Sequence, residues 1–422
     1  MRILLVGASG LIGRHLLRAL QGEGHQLIAT SRSGRGVELP GVRWQSLDLA
    51  SLASHPERFN WPDSIDLVVN ATGVLSTDAH HLASVQDRGT RALFDLAAHH
   101  GARVIQLSAL GAGAQRDVPF LASKAAADEH LLSLQIQAVV LRPSLVLGEG
   151  GASSRWLVRL SPWPLIPLLD TRARAQPLHV DDLVAAVLGL LRNWPAEPAV
   201  IPLVGAEALT LPQLLDRLRA AQGWGPGRYV RIPPTLSRLG ARLGDRFGWQ
   251  ALNSQTVMLA QRDNLASSDA MKAACGGAAA PLASRLADWP RREQTAAMAL
   301  RPVLLAVLVL IWLGTAAVCL GPGYDWGLRI MAELGVGGLL AAVAIVAGAL
   351  TDALLGLGLL SRRWRRHALQ AQIILMLGYM LIISLWLPHY WFDPFAAIGK
   401  NLVLLVATLW LLWSEPMPEG QR

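Results

Sequence analysis

The sequence predicts an α/β domain built on a doubly wound parallel sheet, followed by an all-α four-helix transmembrane bundle. Three observations support this prediction. Apolar runs of strand length alternate with helical patterns from Met1 to about Leu191, a glycine-rich turn follows the first run, and four long apolar runs come after Pro302. Buried strands separated by helices are typical of parallel sheets covered on both faces. A membrane-spanning helix needs roughly 20 mostly apolar residues, which is close to the length of the late runs.

Five early runs have the length and composition of buried strands: Ile3–Val6, Gln26–Ala29, Leu67–Asn70, Arg103–Ser108 and Ala138–Leu141. Between them, Thr90–His99 and Lys124–Leu134 show the residue spacing of helices. Pro195–Gly205 predicts a return to the sheet, and Leu211–Gln222 predicts a helix capped by Thr210. We therefore expect three segments: a sheet domain over residues 1–232, an amphipathic helical subdomain and linker over 233–300, and a membrane domain over 301–415.

The first strand leads directly into a glycine-rich turn, and a helical pattern follows the turn. Glycines at such a turn can adopt positive φ and let backbone N–H groups approach a pyrophosphate at the helix N-terminus. The order of strand, turn and helix favours a dinucleotide-binding domain of the Rossmann type over a tight turn in an unrelated α/β protein. The expected cofactor-binding residues of this turn are Gly7, Ser9, Gly10, Leu11, Ile12 and Gly13.

The end of the second strand bears on which dinucleotide binds. An acidic residue there would bind the 2′-hydroxyl of an NAD ribose, but Arg32 occupies this position and Arg35 is close by. A guanidinium group suits a 2′-phosphate, which favours NADP(H) over NAD(H), although Arg32 could also be a solvated loop arginine. Farther along, we expect Asp48-Leu49 at the adenine edge, and Asn70-Ala71-Thr72-Gly73 near the ribose and nicotinamide.

Further motifs complete the pattern that the glycine-rich turn begins: Ser108 within Leu107–Ala112, Lys124 within Ser123–Ala126, Arg142-Pro143-Ser144, and Asp263-Asn264-Leu265. Together they resemble the extended and atypical branches of the short-chain dehydrogenase/reductase superfamily. They are most similar to the branch that includes the Rossmann-type accessory subunit of respiratory complex I. The resemblance covers about Met1 to Asp288. It implies a Rossmann fold that binds a nicotinamide dinucleotide, with Arg142 and Pro143 among the cofactor-binding residues.

The chain departs from this superfamily at one catalytic position. The family pattern has a Tyr four residues before the Lys as general acid/base, while the Lys binds the nicotinamide ribose and a Ser orients the substrate carbonyl. Here Phe120 stands in the Tyr position, and phenylalanine has no proton to give. The resemblance implies Lys124 and Ser108 as catalytic residues. Lys124 is one of only three lysines, so we interpret it as a ribose ligand, the alternative being a surface helix lysine.

A histidine and two carboxylates come just before another predicted helix, in the segment Leu178-His179-Val180-Asp181-Asp182. We expect Asp181 or Asp182 to cap this helix, because a carboxylate accepts from the free N–H groups of the first turn. His179 could line a substrate cleft, but a lone histidine beside an apolar face is more often structural, and we favour that interpretation.

The four late apolar runs are Val303–Leu320, Leu334–Leu360, Leu369–Leu387 and Leu402–Trp413, the last preceded by Phe395–Ile398. Basic residues concentrate before the first run and between the second and third: Arg291, Arg292, Arg301, Arg362, Arg363, Arg365 and Arg366. The other two loops carry only Arg329 and Lys400. By the positive-inside rule, both chain ends face the cytoplasm. We therefore expect a multi-pass protein of the cytoplasmic (inner) membrane, with its Rossmann domain in the cytoplasm.

Two stretches of the membrane half carry a second resemblance: Asp352-Ala353-Leu354-Leu355-Gly356, and Leu387–Phe395 followed by Gly399–Leu402. They resemble the DoxX-like family of four-helix membrane domains, over about Arg301 to Glu415. The resemblance implies a link to quinone redox chemistry in some members. A charged Asp costs roughly 2.5–3.5 kcal/mol at the bilayer centre, so we expect Asp352 to face the bundle or a water-filled cavity. A polar contact and a transport or redox role both remain open for it.

Charge and cysteine content exclude other classes. The net charge is +8, but the basic residues form no patch with interleaved aromatics, so we expect no nucleic-acid partner. Cys275 and Cys319 provide neither a CxxC pair nor a disulfide framework, and we expect no metal site. The first apolar run is only four residues long and leads straight into the glycine-rich turn, which is not the pattern of a signal peptide.

Two functions fit these features. The first is a membrane-anchored NADP(H)-dependent oxidoreductase that acts on a membrane-soluble quinone or lipid in the bilayer. The second is a non-catalytic NADPH-binding structural or sensor protein that engages membrane protein partners, which fits Phe120 and the retained Lys124. Transport through the bundle is a weaker third, because the apolar runs contain few ionisable residues.

Overall fold

The structure is a computed structural model, and it describes residues 1–74, 76–169, 172–249, 252–393 and 398–415. The chain divides into two compact units, Met1–Thr295 and Ala296–Arg422. The first unit carries the sheet and the candidate nucleotide site. The second unit consists of helices that are mostly apolar.

A seven-stranded sheet forms the centre of the first unit. Its strands are β1 (Arg2–Val6), β2 (Gln26–Ser31), β3 (Val42–Ser46), β4 (Leu67–Asn70), β5 (Arg103–Leu107), β6 (Ala138–Pro143) and β7 (Ala199–Leu203). The order across the sheet is β7-β6-β5-β4-β1-β2-β3, and every neighbouring pair is parallel. The predicted doubly wound parallel sheet is therefore confirmed.

Both faces of this sheet are buried, because alternate residues of each strand point to opposite sides. In β1, Ile3 and Leu5 belong to one hydrophobic cluster, whereas Leu4 and Val6 belong to another. The helices that cover the first face are Leu11–Gly22, Val180–Arg192 and Asp269–Cys275. Those that cover the second are Gly89–His99 and Pro119–Ser133. This burial on both sides explains why the strands read as unbroken apolar runs.

The remaining helical segments of the first unit are shorter or lie away from the sheet. They are Leu49–Leu52, Pro56–Arg58, Ala79–Leu82, Ala83–Arg88, Ala152–Leu160, Leu211–Ala221, Pro234–Phe247, Ser254–Ala260 and Leu282–Arg285. Thr210 caps its helix through a capping box with Gln213, as its sequence position predicts.

Two expectations about these elements need correction. The helix that contains Lys124 starts at Pro119, five residues earlier than the spacing predicted, because proline is favoured in the first helical turn and Val118 is extended. The cap of helix Val180–Arg192 is His179, whose Nδ1 accepts the N–H of Asp181 at 3.3 Å. The two aspartates thus lie in the first turn rather than at the cap.

A third hydrophobic cluster lies outside the sheet and includes Leu157, Ile166, Leu215 and Trp289. Three two-stranded pairs accompany it: Val146–Leu147 with Leu178–His179, Arg174–Ala175 with Leu209–Thr210, and Leu165–Leu168 with Arg228–Arg231. Buried Arg219 helps to hold this subdomain, since its guanidinium donates to the carbonyl oxygens of Ser161, Trp163 and Gly225.

The helices of the C-terminal region are Arg292–Leu320, Tyr324–Glu333, Gly338–Gly358, Arg365–Trp386, Pro388–Phe392 and Gly399–Ser414. Within the described residues, three are long and apolar enough to cross a membrane: Arg292–Leu320, Gly338–Gly358 and Arg365–Trp386. The fourth predicted run is the shorter helix Gly399–Ser414, and Phe395 before it lies outside the described residues. Tyr324–Glu333 is an additional helix between the first two runs.

Candidate functional site

The site is set by the strand order, which reverses at β1. The neighbours of β1 are β2 on one side and β4 on the other, and Val6 pairs in register with Asn70. The segments that leave β1 and β4 therefore diverge, and a crevice opens at the carboxyl ends of these strands. In open α/β sheets, ligands bind in the crevice at such a switch point.

The glycine-rich turn lies at the carboxyl end of β1, beside this crevice, and its glycines leave no room for side chains. Gly7 has φ of +76°, and a Cβ there would lie 3.0 Å from Thr72 Oγ1. A Cβ on Gly13 would lie 2.2 Å from the carbonyl oxygen of Gly7, so helix Leu11–Gly22 can approach the turn only because residue 13 has no side chain. Gly10 caps this helix without a side-chain hydrogen bond, which leaves first-turn N–H groups available to an anion.

The other residues expected in this turn lie where a dinucleotide could contact them. Ser9 is exposed, while Leu11 and Ile12 are half-buried in the first turn of the helix. The turn also joins β2, because the N–H of Ala8 donates to the carbonyl oxygen of Thr30 at 3.1 Å. The first turn and the end of β2 thus lie together, as a site spanning phosphate and adenosine ribose requires.

The segment after β4 is held rigidly at the crevice. Asn70 is fully buried, its Nδ2 donates to Gln106 Oε1 at 2.8 Å, and its Oδ1 accepts the N–H of Thr72 at 3.1 Å. The N–H of Ala71 donates to the carbonyl oxygen of Val6. Thr72 Oγ1 is buried without a partner among the described residues. This unpaired hydroxyl beside Gly7 is a group that a bound nucleotide could satisfy.

Lys124 reaches the same edge from helix Pro119–Ser133. Its Nζ donates to the carbonyl oxygens of Thr72 at 2.7 Å and Leu107 at 2.8 Å, at the carboxyl ends of β4 and β5. The residue is 3% exposed, so it is not a surface helix lysine. A Cβ on exposed Gly73 would lie 4.0 Å from Nζ. Burial lowers the pKa of Lys124 to about 8, with Asp128 opposing part of the shift.

The hydroxyl of Ser108 is hydrogen-bonded to Asp128, a residue that the sequence analysis did not identify. Ser108 Oγ donates to Asp128 Oδ2 at 2.7 Å, and Arg142 donates to the same oxygen from Nε at 3.1 Å and Nη2 at 3.0 Å. Burial raises the pKa of Asp128, with Ser108 and Arg142 opposing the shift. Pro143 accepts the N–H of Leu110 at 2.8 Å. Asp128 lies one helical turn after Lys124, and this spacing was the available signal.

Phe120 lies one turn before Lys124, in the first turn of the same helix. Its N–H donates to Gln255 Oε1 at 3.0 Å, and Gln255 Nε2 donates to the carbonyl oxygen of Ser76 at 2.6 Å. Tyr229, the one tyrosine of the first unit, donates instead to Asp216 Oδ1 at 2.6 Å. Within the described part of this unit, no tyrosine takes over the acid/base position.

Arg32 follows β2 and Asp48 follows β3, the last two strands on one side of the sheet. Arg32 is exposed, and its carbonyl oxygen accepts from Ser46 Oγ at 2.9 Å, which ties the loop to the end of β3. Its guanidinium has no ion pair with any residue that the structure describes. Asp48 caps the short helix Leu49–Leu52 by accepting the N–H of Ala50 at 3.0 Å, and Leu49 is buried. Asp48 thus has a structural role as the cap of this helix.

The Asp263-Asn264-Leu265 motif braces the same region from a distance in sequence. Asn264 Nδ2 donates to the carbonyl oxygen of Leu110 at 3.2 Å, and Asp263 Oδ1 accepts the N–H of Arg174 at 2.8 Å. Arg262 forms a two-pronged ion pair with Asp117, just before helix Pro119–Ser133. The contacts of Asn264 and Arg262 hold the segment between β5 and helix Pro119–Ser133, which carries Ser108.

Asp352 is buried within the second unit, 6% exposed, as its position in an apolar run predicts. Its Oδ1 has no hydrogen-bond partner among the described residues. Gln372, on helix Arg365–Trp386, is also buried, and its Nε2 donates to the carbonyl oxygen of Leu355 at 3.4 Å. In the described part of the chain, no group of histidine, cysteine and carboxylate residues could hold a metal ion.

Two family models match separate parts of the chain. Residues 3–201 match the NAD dependent epimerase/dehydratase family, and residues 307–409 match the DoxX-like family. The first match supports a nicotinamide dinucleotide as cofactor and does not separate NADP(H) from NAD(H). The second, together with the three long apolar helices, identifies a membrane-associated protein.

Among curated proteins, the chain is similar to the ceramide reductase of Caulobacter vibrioides. The two are 24% identical over 262 residues, which is 60% of this chain and 79% of that protein. It is also similar to NADH dehydrogenase [ubiquinone] 1 alpha subcomplex subunit 9, mitochondrial, of Arabidopsis thaliana and Dictyostelium discoideum, at 27% and 26% identity. Those matches cover 55% and 50% of this chain, and 60% and 61% of the subunits.

Solved structures support the fold. A Staphylococcus aureus nucleoside-diphosphate-sugar epimerase superimposes with a TM-score of 0.55 at 18% identity, over 68% of this chain and 100% of that one. MoeE5 in complex with UDP-glucuronic acid and NAD gives 0.53 at 19% identity, over 70% and 99%. By the two family models, the chain combines an N-terminal domain that matches the NAD dependent epimerase/dehydratase family with a C-terminal domain that matches the DoxX-like family.

Proposed function

We propose that this protein is a membrane-anchored oxidoreductase that binds NADP(H) at the crevice between β1 and β4 and exchanges hydride with a membrane-soluble quinone or lipid. The observation that carries the proposal is the placement of Lys124. An ammonium group is expensive to bury, yet Lys124 is held at the crevice edge by two carbonyl oxygens. The third N–H of this ammonium remains to bind the ribose hydroxyls of a nicotinamide nucleotide.

The choice of NADP(H) rests on Arg32. Its exposed guanidinium follows β2, where it can form charge-assisted hydrogen bonds with a ribose 2′-phosphate. MoeE5, which shares this fold, was solved with NAD, which supports a nicotinamide nucleotide as the ligand. When bound, the nicotinamide supplies the hydride chemistry. The residues of this chain bind and orient the nucleotide, with the N–H groups after Gly10 directed to the phosphates.

The substrate class follows from the second domain and from one relative. The DoxX-like domain, with its long apolar helices, tethers the nucleotide-binding domain to the bilayer. An apolar acceptor is concentrated in the bilayer, so tethering raises its effective concentration. A ceramide reductase is named for a lipid substrate. Phe120 cannot protonate a carbonyl oxygen, so we favour an acceptor that takes its protons from water or from another group.

A non-catalytic NADPH-binding protein is the second candidate, and one observation favours it. Ser108 donates its hydroxyl proton to buried Asp128, so neither Phe120 nor Ser108 offers a free proton to a carbonyl substrate. Subunit 9 of NADH dehydrogenase is similar in sequence, which fits a role with membrane protein partners. In this role the nucleotide would be a structural or sensing ligand.

Turnover separates the two functions. The full chain would be purified in lipid nanodiscs and loaded with NADPH, and oxidation would be followed by absorbance with a soluble quinone and with a long-chain lipid carbonyl. Acceptor-dependent oxidation that is lost in Lys124→Met supports the oxidoreductase. Tight NADPH binding without oxidation by any acceptor overturns the oxidoreductase and leaves the binding protein.

Location and domain limits belong to the same proposal. We assign residues 1–232 to the nucleotide-binding domain, 233–300 to the helical subdomain and linker, and 301–415 to the membrane domain. The arginines that flank the apolar runs support a cytoplasmic location of both termini by the positive-inside rule. Labelling of single cysteines introduced at each terminus, in intact and in permeabilised cells, tests this orientation; labelling of either terminus in intact cells would contradict it.

A further inference from the structure

Helix Pro234–Phe247 presents an apolar stripe to solvent. Leu236, Leu239, Leu243 and Phe247 recur at helical spacing, and they are 58%, 54%, 41% and 63% exposed. Trp249, two residues beyond the helix, is 49% exposed and its ring stacks on that of Phe247 at 5.9 Å. Large apolar side chains grouped in this way on a folded surface mark an interaction site.

The stripe is not the face by which the helix joins the protein. Ser237, Ala241 and Gly244 form the buried face. A Cβ on Gly244 would lie 1.6 Å from the carbonyl oxygen of Leu252, so the helix backbone is pressed against the following segment. The small residues allow the helix to pack closely, and the large apolar residues have no partner among the described residues of the first unit.

Arginines accompany the stripe. Arg238, Arg242 and Arg246 follow one another at four-residue spacing, and all three are exposed. None of them forms a salt bridge with a residue that the structure describes. The one acidic residue of the helix, Asp245, is turned to Ser254 and accepts from its N–H at 3.0 Å and from its Oγ at 2.5 Å. The outer surface of the helix is therefore apolar and positively charged.

The strand just before this helix has the same character. Strand Arg228–Arg231 pairs in parallel with Leu165–Leu168, with Arg228 opposite Leu165 and Val230 opposite Pro167. These four residues are exposed, whereas Ile166 and Leu168 point into the third hydrophobic cluster, which lies outside the sheet. Apolar and basic side chains thus continue from the strand pair into the helix.

We propose that helix Pro234–Phe247 is an interfacial helix that binds the surface of an anionic lipid bilayer. A Leu/Phe/Trp face flanked by arginines is the composition by which helices lie in the headgroup region, with the apolar side chains in the acyl boundary. The arginines then contact lipid phosphates. The nucleotide-binding unit gains a membrane attachment of its own, separate from the transmembrane helices. This inference does not depend on the proposed redox function.

The test measures the depth of one labelled residue in the full-length protein. Leu239→Cys, in a Cys319→Ser background, would carry a nitroxide, and the protein would be placed in nanodiscs of phosphatidylcholine with or without phosphatidylglycerol. Collisions with oxygen and with a water-soluble nickel chelate report lipid and water contact. We expect Leu239→Cys in anionic discs to be oxygen-accessible and protected from nickel, whereas the control Arg18→Cys, exposed on helix Leu11–Gly22, stays nickel-accessible.

Charge variants sharpen the result. Replacing Arg238, Arg242 and Arg246 with Gln should lower the ratio of bilayer-bound to free helix by about fivefold per residue in anionic discs, which is the value of one basic residue near such a surface. A label at Leu239→Cys that remains nickel-accessible in both discs overturns the proposal. A label protected from both reagents shows protein packing instead and also overturns it, and dipolar coupling between two labels would identify a second copy as the occupant.

Discussion

Lys124 Nζ lies 2.7 Å from the carbonyl oxygen of Thr72, which joins helix Pro119–Ser133 to the segment that leaves β4. A second bond, to Leu107, joins the same ammonium to the end of β5. Two of its three N–H groups are therefore used inside the protein. A lysine in this arrangement joins the ends of β4 and β5 and leaves one N–H donor for a ligand.

This arrangement predicts a pH dependence of NADPH binding. Burial lowers the pKa of Lys124 to about 8, so the free protein loses the ammonium proton as pH rises through that value. The neutral amine has two N–H groups, both taken by carbonyl oxygens, and none remains for the ribose. We expect affinity measured by fluorescence titration to fall above pH 8, by up to tenfold per pH unit. Lys124→Met should bind weakly and without that dependence, and a wild-type affinity that is flat from pH 7 to 9 would contradict the assigned role.

Gly13→Ala should abolish nucleotide binding and destabilise the first unit. The new Cβ would lie 2.2 Å from the carbonyl oxygen of Gly7, so the helix must move away from the turn that holds the phosphates. Gly22→Ala, at the other end of the same helix, is the matched control, since nothing lies within 4 Å of its Cβ. Helical Gly→Ala there should gain up to about 0.5–1 kcal/mol of stability. Thermal unfolding measures the stability of both variants, and titration with NADPH measures their affinity. Equal stability and equal affinity of the two variants would contradict the close packing at Gly13.

Arg32→Ala should weaken binding of NADPH far more than of NADH. A hydrogen bond to a charged group contributes about 1.5–3 kcal/mol, or roughly ten- to hundredfold in affinity. Arg43→Ala, an exposed arginine on β3, controls for the general loss of positive charge. Calorimetric titration with both nucleotides provides the comparison. If Arg32→Ala reduces both affinities equally, Arg32 does not select the 2′-phosphate.

Asp128→Asn should destabilise the first unit, because Arg142 would lose its ionised partner and Ser108 its acceptor. Removing one member of a buried ion pair costs about 3 kcal/mol, which lowers the melting temperature of a domain this large by roughly 6–12 °C. Glu23→Ala, which breaks an exposed pair with Arg192, should change melting little. Near-identical melting of Asp128→Asn and the wild type would show that the network is not structural.

Much of the fold could be predicted because its signals are local. The glycine-rich turn, the strands β1, β2, β4, β5 and β6, and the apolar runs each depend on residues adjacent in sequence. The start of helix Pro119–Ser133 was predicted too late, since Lys124 and its neighbours show no clean amphipathic period when the helix is covered on several sides. The cap at His179 was missed because carboxylates are the usual cap and two of them followed.

The candidate site was predictable only in part. The resemblance to the short-chain dehydrogenase/reductase superfamily pointed to Lys124, Ser108 and Arg142, whereas Asp128, Gln106 and Gln255 became visible only when strands and helices distant in sequence were brought together. Asp128 accepts hydrogen bonds from Ser108 and Arg142, which are 20 and 14 positions away in the sequence. Gln255 accepts the N–H of Phe120, which is 135 positions away. Pairings of this kind leave no periodic trace in one sequence.

The sequence by itself determined the parallel-sheet domain, the apolar runs of the membrane half and the crevice-forming glycines, because each follows from the identity and order of neighbouring residues. Its resemblance to the short-chain dehydrogenase/reductase superfamily pointed to the missing Tyr hydroxyl at Phe120. Only the tertiary structure decided that Lys124 is buried with one donor to spare, that Ser108 is bonded to Asp128, and that the Leu236–Phe247 stripe remains uncovered. The physical reason is that burial and hydrogen-bond partners depend on which distant segments pack together, and that packing minimises exposed apolar area over the whole unit rather than over any one segment.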